Sequence, residues 1–220
     1  QSYYATIGGG WSNSAVGVYA TVAGGTGNVA SYSAAVGGGS YNTASGYSAT
    51  VAGGESNSAM SYHATVGGGL NNAVQGNFST VAGGQSNSAQ SYYATIAGGH
   101  WNKVSTYAQS ATIGGGWANS AVGGYATVAG GSYNTATRSA AVGGGTDNTA
   151  SGYYAVIAGG SGNVAMSYHA TVGGGLTNAV QGNFSTVAGG QSNSAQSYYA
   201  TIGGGWSNSA VGVYATVAGG

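Results

Sequence analysis

A six-residue phrase, Ala20-Thr21-Val22-Ala23-Gly24-Gly25, constrains this chain more than any other feature, because it returns with small substitutions from one end to the other. Fifteen copies are readable, from Ala5-Thr6-Ile7-Gly8-Gly9-Gly10 to Ala215-Thr216-Val217-Ala218-Gly219-Gly220, and every copy keeps its Gly-Gly pair. Counted between the residues that open each phrase, the spacing is 15 residues, with 14 from Ala20 to Ala34 and from Ala126 to Ala140, and 17 from Ala94 to Ala111. A unit this short cannot bury its own apolar side, so units must stack on one another, as in solenoid proteins. Length changes in such a stack belong in loops, and the long unit carries the unusual segment His100-Trp101-Asn102-Lys103.

Within a unit, Tyr19-Ala20-Thr21-Val22-Ala23 reads as a short strand: β-branched residues alternate with small ones and glycines stop the run. The two-residue period places Ala20 and Val22 on one face and Tyr19, Thr21 and Ala23 on the other. The Gly pair supplies a turn. Three residues past it stands an asparagine in every complete unit: Asn13, Asn28, Asn42, Asn57, Asn72, Asn87, Asn102, Asn119, Asn134, Asn148, Asn163, Asn178, Asn193 and Asn208. Such recurrence predicts a ladder of side-chain amides that bond their own turn and the copy one coil on, holding turns in register. A small apolar residue two positions later (Ala15, Ala30, Ala44, Ala59, Val74) predicts a second strand pointing inward. The two residues between Gly-Gly and Asn vary, as in Trp11-Ser12, Glu55-Ser56 and Thr146-Asp147, and read as an exposed loop.

A second period overlies the first. The residue after Val or Ile alternates (Gly8, Ala23, Gly37, Ala52, Gly67, Ala82), pairing units into a thirty-residue repeat that slips once, at Ala97. Later residues follow suit, with Gly46 and Gly76 in one type and Ser61 and Ser91 in the other. One turn of fifteen residues is the expected coil; a thirty-residue turn is the alternative, and it would place Asn13 nearer Asn42 than Asn28. Met60–Ile96 reappears as Met166–Ile202 with one change, Asn71 to Thr177, and Gln1–Gly25 is identical to Gln196–Gly220. Residues 1–220 therefore read as one repetitive array, a window on a longer one.

These patterns predict an all-β parallel solenoid, a β-roll, with a thin core of Ala, Val and Ile. The row of Tyr4, Tyr19, His63, Phe78, Tyr93, Tyr125, Tyr154, His169, Phe184, Tyr199 and Tyr214 before each phrase is expected to need burial as well. The pattern Ser/Tyr-Ala-x-Val-Gly-Gly-Gly-x-x-Asn-x-Ala-x-Gly, exemplified by Ala34, Val36, Gly37, Asn42, Ala44 and Gly46, resembles the head repeats of trimeric autotransporter adhesins, the YadA type, and similar repeats in bacterial surface and phage tail-fibre-like proteins. That resemblance implies a left-handed β-roll with one turn per repeat, three chains packed together, and a place at the cell surface. Thr6, Thr21 and Thr50 stand where that family commonly has Ala.

Function classes narrow by charge and composition. Two basic and two acidic side chains leave no basic surface for nucleic acid, and no apolar run approaches the ~20 residues of a membrane span. With three His, two acids and no Cys, none adjacent as a proton-relay pair, no catalytic site, metal site or cofactor is expected. His63 and His169, 106 residues apart, read as members of the aromatic row rather than as metal ligands. The Gly-Gly-Gly runs lack the Lys and helix of a phosphate cradle. Four tryptophans, Trp11, Trp101, Trp117 and Trp206, lie in the variable stretch and are candidate contacts for neighbouring chains, a host surface or a glycan. Asn77-Phe78-Ser79 and Asn183-Phe184-Ser185 match the glycosylation sequon. The leading expectation is a structural segment of an extracellular fibre or surface appendage, with copies of itself as partners end to end, laterally or as trimers, and adhesion as a second role. The rival is an ice-binding protein using the row Thr6, Thr21, Thr50, Thr65, Thr80 and Thr95, which lapses at Ala35, Ala141 and Val156.

Overall fold

The computed structural model describes residues 3–220 and divides into two compact units, Gln1–Ser110 and Ala111–Gly220. Each is a stack of short parallel strands, of two or three residues in the first and of two in the second, without helix among the described residues. In the first unit, seven strands from Thr6–Ile7 to Thr95–Ile96 form one sheet and seven from Ser14–Val16 to Lys103–Val104 form another. In the second unit, eight strands run from Thr112–Ile113 to Thr216–Val217 and seven from Ser120–Ala121 to Ser209–Ala210. The fold is a parallel β-solenoid whose coil is the fifteen-residue repeat: Thr6 pairs with Thr21, Thr50 with Thr65 and Ser58 with Ala73.

The coil from Ala49 to His63 illustrates how the backbone is satisfied. Thr50 N–H donates to Ala64 O at 2.9 Å, Ala52 to Val66 at 3.0 Å, Glu55 to Gly69 at 2.9 Å, Ser58 to Asn72 at 2.8 Å and Met60 to Val74 at 2.9 Å. Ser56 and His63 donate the other way, to Ser40 and Tyr47, both at 2.9 Å. A two-residue strand has no stability of its own; here each is held by the coils on either side, so order is a property of the stack.

Ala49, Val51, Asn57 and Ala59 point inward and are buried. The apolar core is as thin as the sequence predicts, and its largest members are Ile96, Ile113, Ile157 and Ile202. Where Val74 replaces the second alanine, Ser79 replaces the next phrase-opening Ala. Its buried hydroxyl donates to Ser91 O at 2.6 Å and accepts from Ala94 N–H at 2.9 Å. Val180 and Ser185 repeat this exchange.

The thirty-residue period has a steric cause. A Cβ at Gly37 would sit 2.3 Å from Ala52 O, and one at Gly67 would sit 2.2 Å from Ala82 O. At the later position, a Cβ on Gly46 would meet Ser61 O at 2.0 Å. Coils of the Gly type thus accept the next coil's carbonyl where a side chain would stand.

Several expectations need correction. The strand is Thr21–Val22 alone; Tyr19 before it has φ of 62°, a left-handed turn residue, and shares no strand face with Thr21. Its row is not buried: Tyr19 is 60 % exposed and Phe78 45 %. The variable pair after Gly-Gly is exposed as expected, with Trp11 72 % and Tyr41 60 % accessible, but it is paired rather than a loop. Its first member pairs coil to coil (Trp11 with Thr26, Thr26 with Ser40, Ser40 with Glu55), and its second takes positive φ, as at Ser12, Tyr41 and Trp101. His100-Trp101-Asn102-Lys103 is regular too, with His100 opposite Gln85 and Lys103 opposite Ser88. The two extra residues enter after Val104: Ser110, not residue 108, makes the bond to Tyr92 O that Tyr93 makes to Asn77 O. The short units also lose their residue at this corner, where Tyr32 and Ser33, and Arg138 and Ser139, are consecutive left-handed residues.

Candidate functional site

The asparagine ladder is densely bonded in both units. Asn57 Nδ2 donates to Gly53 O at 3.0 Å within its own turn, to Gly69 O at 2.8 Å one coil on, and to Asn42 Oδ1 at 3.1 Å one coil back. Its own Oδ1 accepts from Asn72 N–H at 2.9 Å and Asn72 Nδ2 at 3.1 Å. The same bond from backbone N–H to the preceding Oδ1 links Asn28 to Asn13 at 3.0 Å and Asn42 to Asn28 at 2.9 Å, so Asn13 meets Asn28 directly, as a fifteen-residue turn requires. In the second unit it runs through Asn119, Asn134, Asn148, Asn163, Asn178, Asn193 and Asn208. Asn87 and Asn102 continue it in the first. The interior rungs are buried, with every amide committed to protein partners. The ladder is therefore scaffold and leaves nothing for a ligand.

What faces outward is aromatic. Left-handed backbone at the corner turns the residue before each phrase away from the core, and copies stack along the coils. In the first unit Tyr4 stacks on Tyr19 at 5.3 Å between ring centroids, His63 on Phe78 at 5.3 Å and Phe78 on Tyr93 at 5.4 Å. In the second, Tyr154, His169, Phe184, Tyr199 and Tyr214 follow at 5.1, 5.3, 5.2 and 5.0 Å. The near-parallel spacing follows from one ring per coil, and offset stacking of this kind adds about 0.5–1.5 kcal/mol per pair. His63 and His169 are rungs of this stack, and no group of three His, Cys, Asp or Glu able to hold a metal occurs among the described residues.

The row is interrupted at the short corners. Beside Ser33 lies an open groove lined by Val18, Tyr19, Tyr32 and Tyr47; beside Ser139 lies one lined by Val122, Thr137, Arg138 and Met166. Arg138 places its guanidinium 5.6 Å from the Tyr153 ring centre, a cation–π contact.

The tryptophans occupy two positions of the repeat. Trp11, Trp117 and Trp206 sit at the first position after Gly-Gly and Trp101 at the second; Trp11 and Trp206 are about 70 % exposed (72 % and 70 %). Trp117 packs against Tyr133 at 5.7 Å. Both sequons are tied into the fold: Asn77 Oδ1 accepts from Tyr62 N–H at 3.2 Å and Asn183 Oδ1 from Tyr168 N–H at 3.1 Å, while Ser79 and Ser185 are fully buried. Among the described residues no helix is long and apolar enough to cross a membrane. Comparison with protein-family models and with curated proteins finds no match to the chain.

Proposed function

We propose that the chain is a structural segment of an extracellular fibre or surface appendage, in which stacked coils provide the scaffold and exposed aromatic rows provide contact with neighbouring copies, a host surface or a glycan. One observation carries this reading: every coil spends its inward polar groups on the next coil, as Asn57 does toward Asn42, Asn72 and Gly69, so the repeat encodes its own continuation and little else. Cohesion of that kind comes from backbone ladders, amide ladders and apolar contact. Only four charged side chains are present, Glu55, Lys103, Arg138 and Asp147, so the outer faces repel copies weakly. The resemblance to trimeric adhesin heads supports a cell-surface setting and lateral packing of chains. Electron microscopy of the native material tests the proposal: filaments whose fibre diffraction has a meridional repeat near ~4.8 Å are expected, and discrete particles overturn it.

A second reading, ice binding, is favoured by the registered threonines Thr65, Thr80 and Thr95, which pair coil to coil in one sheet. The row is broken by Ala35 and Ala141, and by Val156, 42 % exposed on the same face. Thermal hysteresis of the purified chain separates the two readings, and its absence removes the second.

A further inference from the structure

Three pairs of tyrosines lie ring on ring at adjacent coils with both phenols open to solvent. Tyr4 and Tyr19 are 5.3 Å apart with planes 8° from parallel; Tyr47 and Tyr62 are 5.4 Å apart at 8°; Tyr199 and Tyr214 are 5.0 Å apart at 7°. Their exposure runs from 42 % at Tyr62 to 76 % at Tyr4. The partner in each pair is held by the coil register, so it needs no diffusional search. The chain has no cysteine, and phenols are its most oxidisable abundant group. We propose that these three pairs are modification sites at which oxidation forms dityrosine, stapling the two coils of each pair together covalently.

The chemistry balances with a peroxidase-type one-electron oxidant driven by hydrogen peroxide. Each phenol loses one electron and one proton. The two phenoxyl radicals join through the ring carbons ortho to their oxygens, and the hydrogens on those carbons move to the oxygens as aromaticity returns. Per link, two hydrogens leave the protein and one peroxide becomes two waters. Stacked rings reach this geometry by turning about Cβ–Cγ, a soft torsion for tyrosine, and leaning together about Cα–Cβ, and their exposure leaves room for both. Neighbouring rungs provide contrasts within the same fold: Phe78 separates His63 from Tyr93, and Phe184 separates His169 from Tyr199, and phenylalanine has no phenolic hydrogen to give.

The test uses the full chain at micromolar concentration with a haem peroxidase and hydrogen peroxide, followed by proteolysis and mass spectrometry of linked peptides. Tyr107 is the internal reference: at 90 % it is the most exposed ring, and it has no ring partner among the described residues. A partner held at millimolar effective concentration predicts links Tyr4–Tyr19, Tyr47–Tyr62 and Tyr199–Tyr214 in excess over Tyr107 links by on the order of 10²–10³-fold. Tyr214→Phe should abolish the third link and spare the second. The excess should vanish when the unfolded chain is oxidised in strong denaturant by a small-molecule one-electron oxidant, which works where the peroxidase itself would unfold. Links distributed by exposure, with Tyr107 foremost, would overturn the proposal, as would an excess that survives unfolding or a Tyr214→Phe chain with unchanged Tyr199 linkage.

Discussion

Replacing one rung of the amide ladder is the most direct way to measure what holds a coil. Asn57→Ala removes two amide N–H donors shared among three acceptors, Gly53 O, Gly69 O and Asn42 Oδ1, and an acceptor used by Asn72 N–H and Nδ2. The buried Asn72 N–H loses its acceptor, which costs about 1–3 kcal/mol, and each lost carbonyl contact adds about 1 kcal/mol. The total is about 3–5 kcal/mol, a large share of the stability of a domain this size. Because stability in a stack is a sum over coils and their neighbours, the damage should be local. Denaturant unfolding should show the loss, and amide exchange should show it concentrated from Asn42 to Asn72, with Thr95 still protected. A loss below about 1 kcal/mol, or protection lost evenly across the first unit, would refute the ladder as the source of register. Asn57→Asp adds a pH test. A carboxylate oxygen would face three acceptors, raising the folded pKa above the unfolded value of about 3.9. The folded state then holds the proton more tightly, so stability is greatest below about pH 4 and falls as pH rises through the folded pKa.

Glycine substitutions should separate contact from flexibility. Gly46→Ala forces a Cβ to 2.0 Å from Ser61 O and should cost about 3 kcal/mol or more, whereas Gly98→Ala, with nothing within 4 Å and no positive φ, should change unfolding by less than about 0.5 kcal/mol. Ile96→Val trims a fully buried side chain of the thin core and should cost about 0.5–1.5 kcal/mol by the same assay. Sodium chloride at molar concentration should neither disperse assembled material nor lower the unfolding midpoint, since at a screening length of ~3 Å only four charged side chains have anything to lose; dissolution on adding salt would point to an electrostatic assembly.

Coil length and amide ladder were legible because each depends on a residue that recurs at one spacing: Asn13, Asn28 and Asn42 predict the bonds they make. Inward Ala20, Val22 and Ala30 were legible for the same reason. The outward turn of the aromatic row was not, because alternation along a strand was carried one residue too far. Tyr19, His63 and Phe78 adopt left-handed backbone, which residue type does not advertise. The third paired edge was hidden as well. Trp11, Thr26, Ser40 and Glu55 share no chemistry, and their pairing is through the backbone alone, which any side chain permits. Alternation of Gly37 and Ala52 was visible as a pattern, but its cause, a carbonyl occupying the space of a Cβ, needs the neighbouring coil in place.

All three changes of unit length fall at one corner, between the second strand and the next phrase, and the strands around the short ones stay registered: Ala30 still faces Ala44, and Val22 still faces Val36. Genes built of near-identical repeats gain and lose codons when copied, and most such errors in a paired sheet would turn core residues outward. Here an error at the corner is absorbed where it occurs. The corner is thus an expansion joint at which a repeat can lose a residue while the strands around it stay in phase.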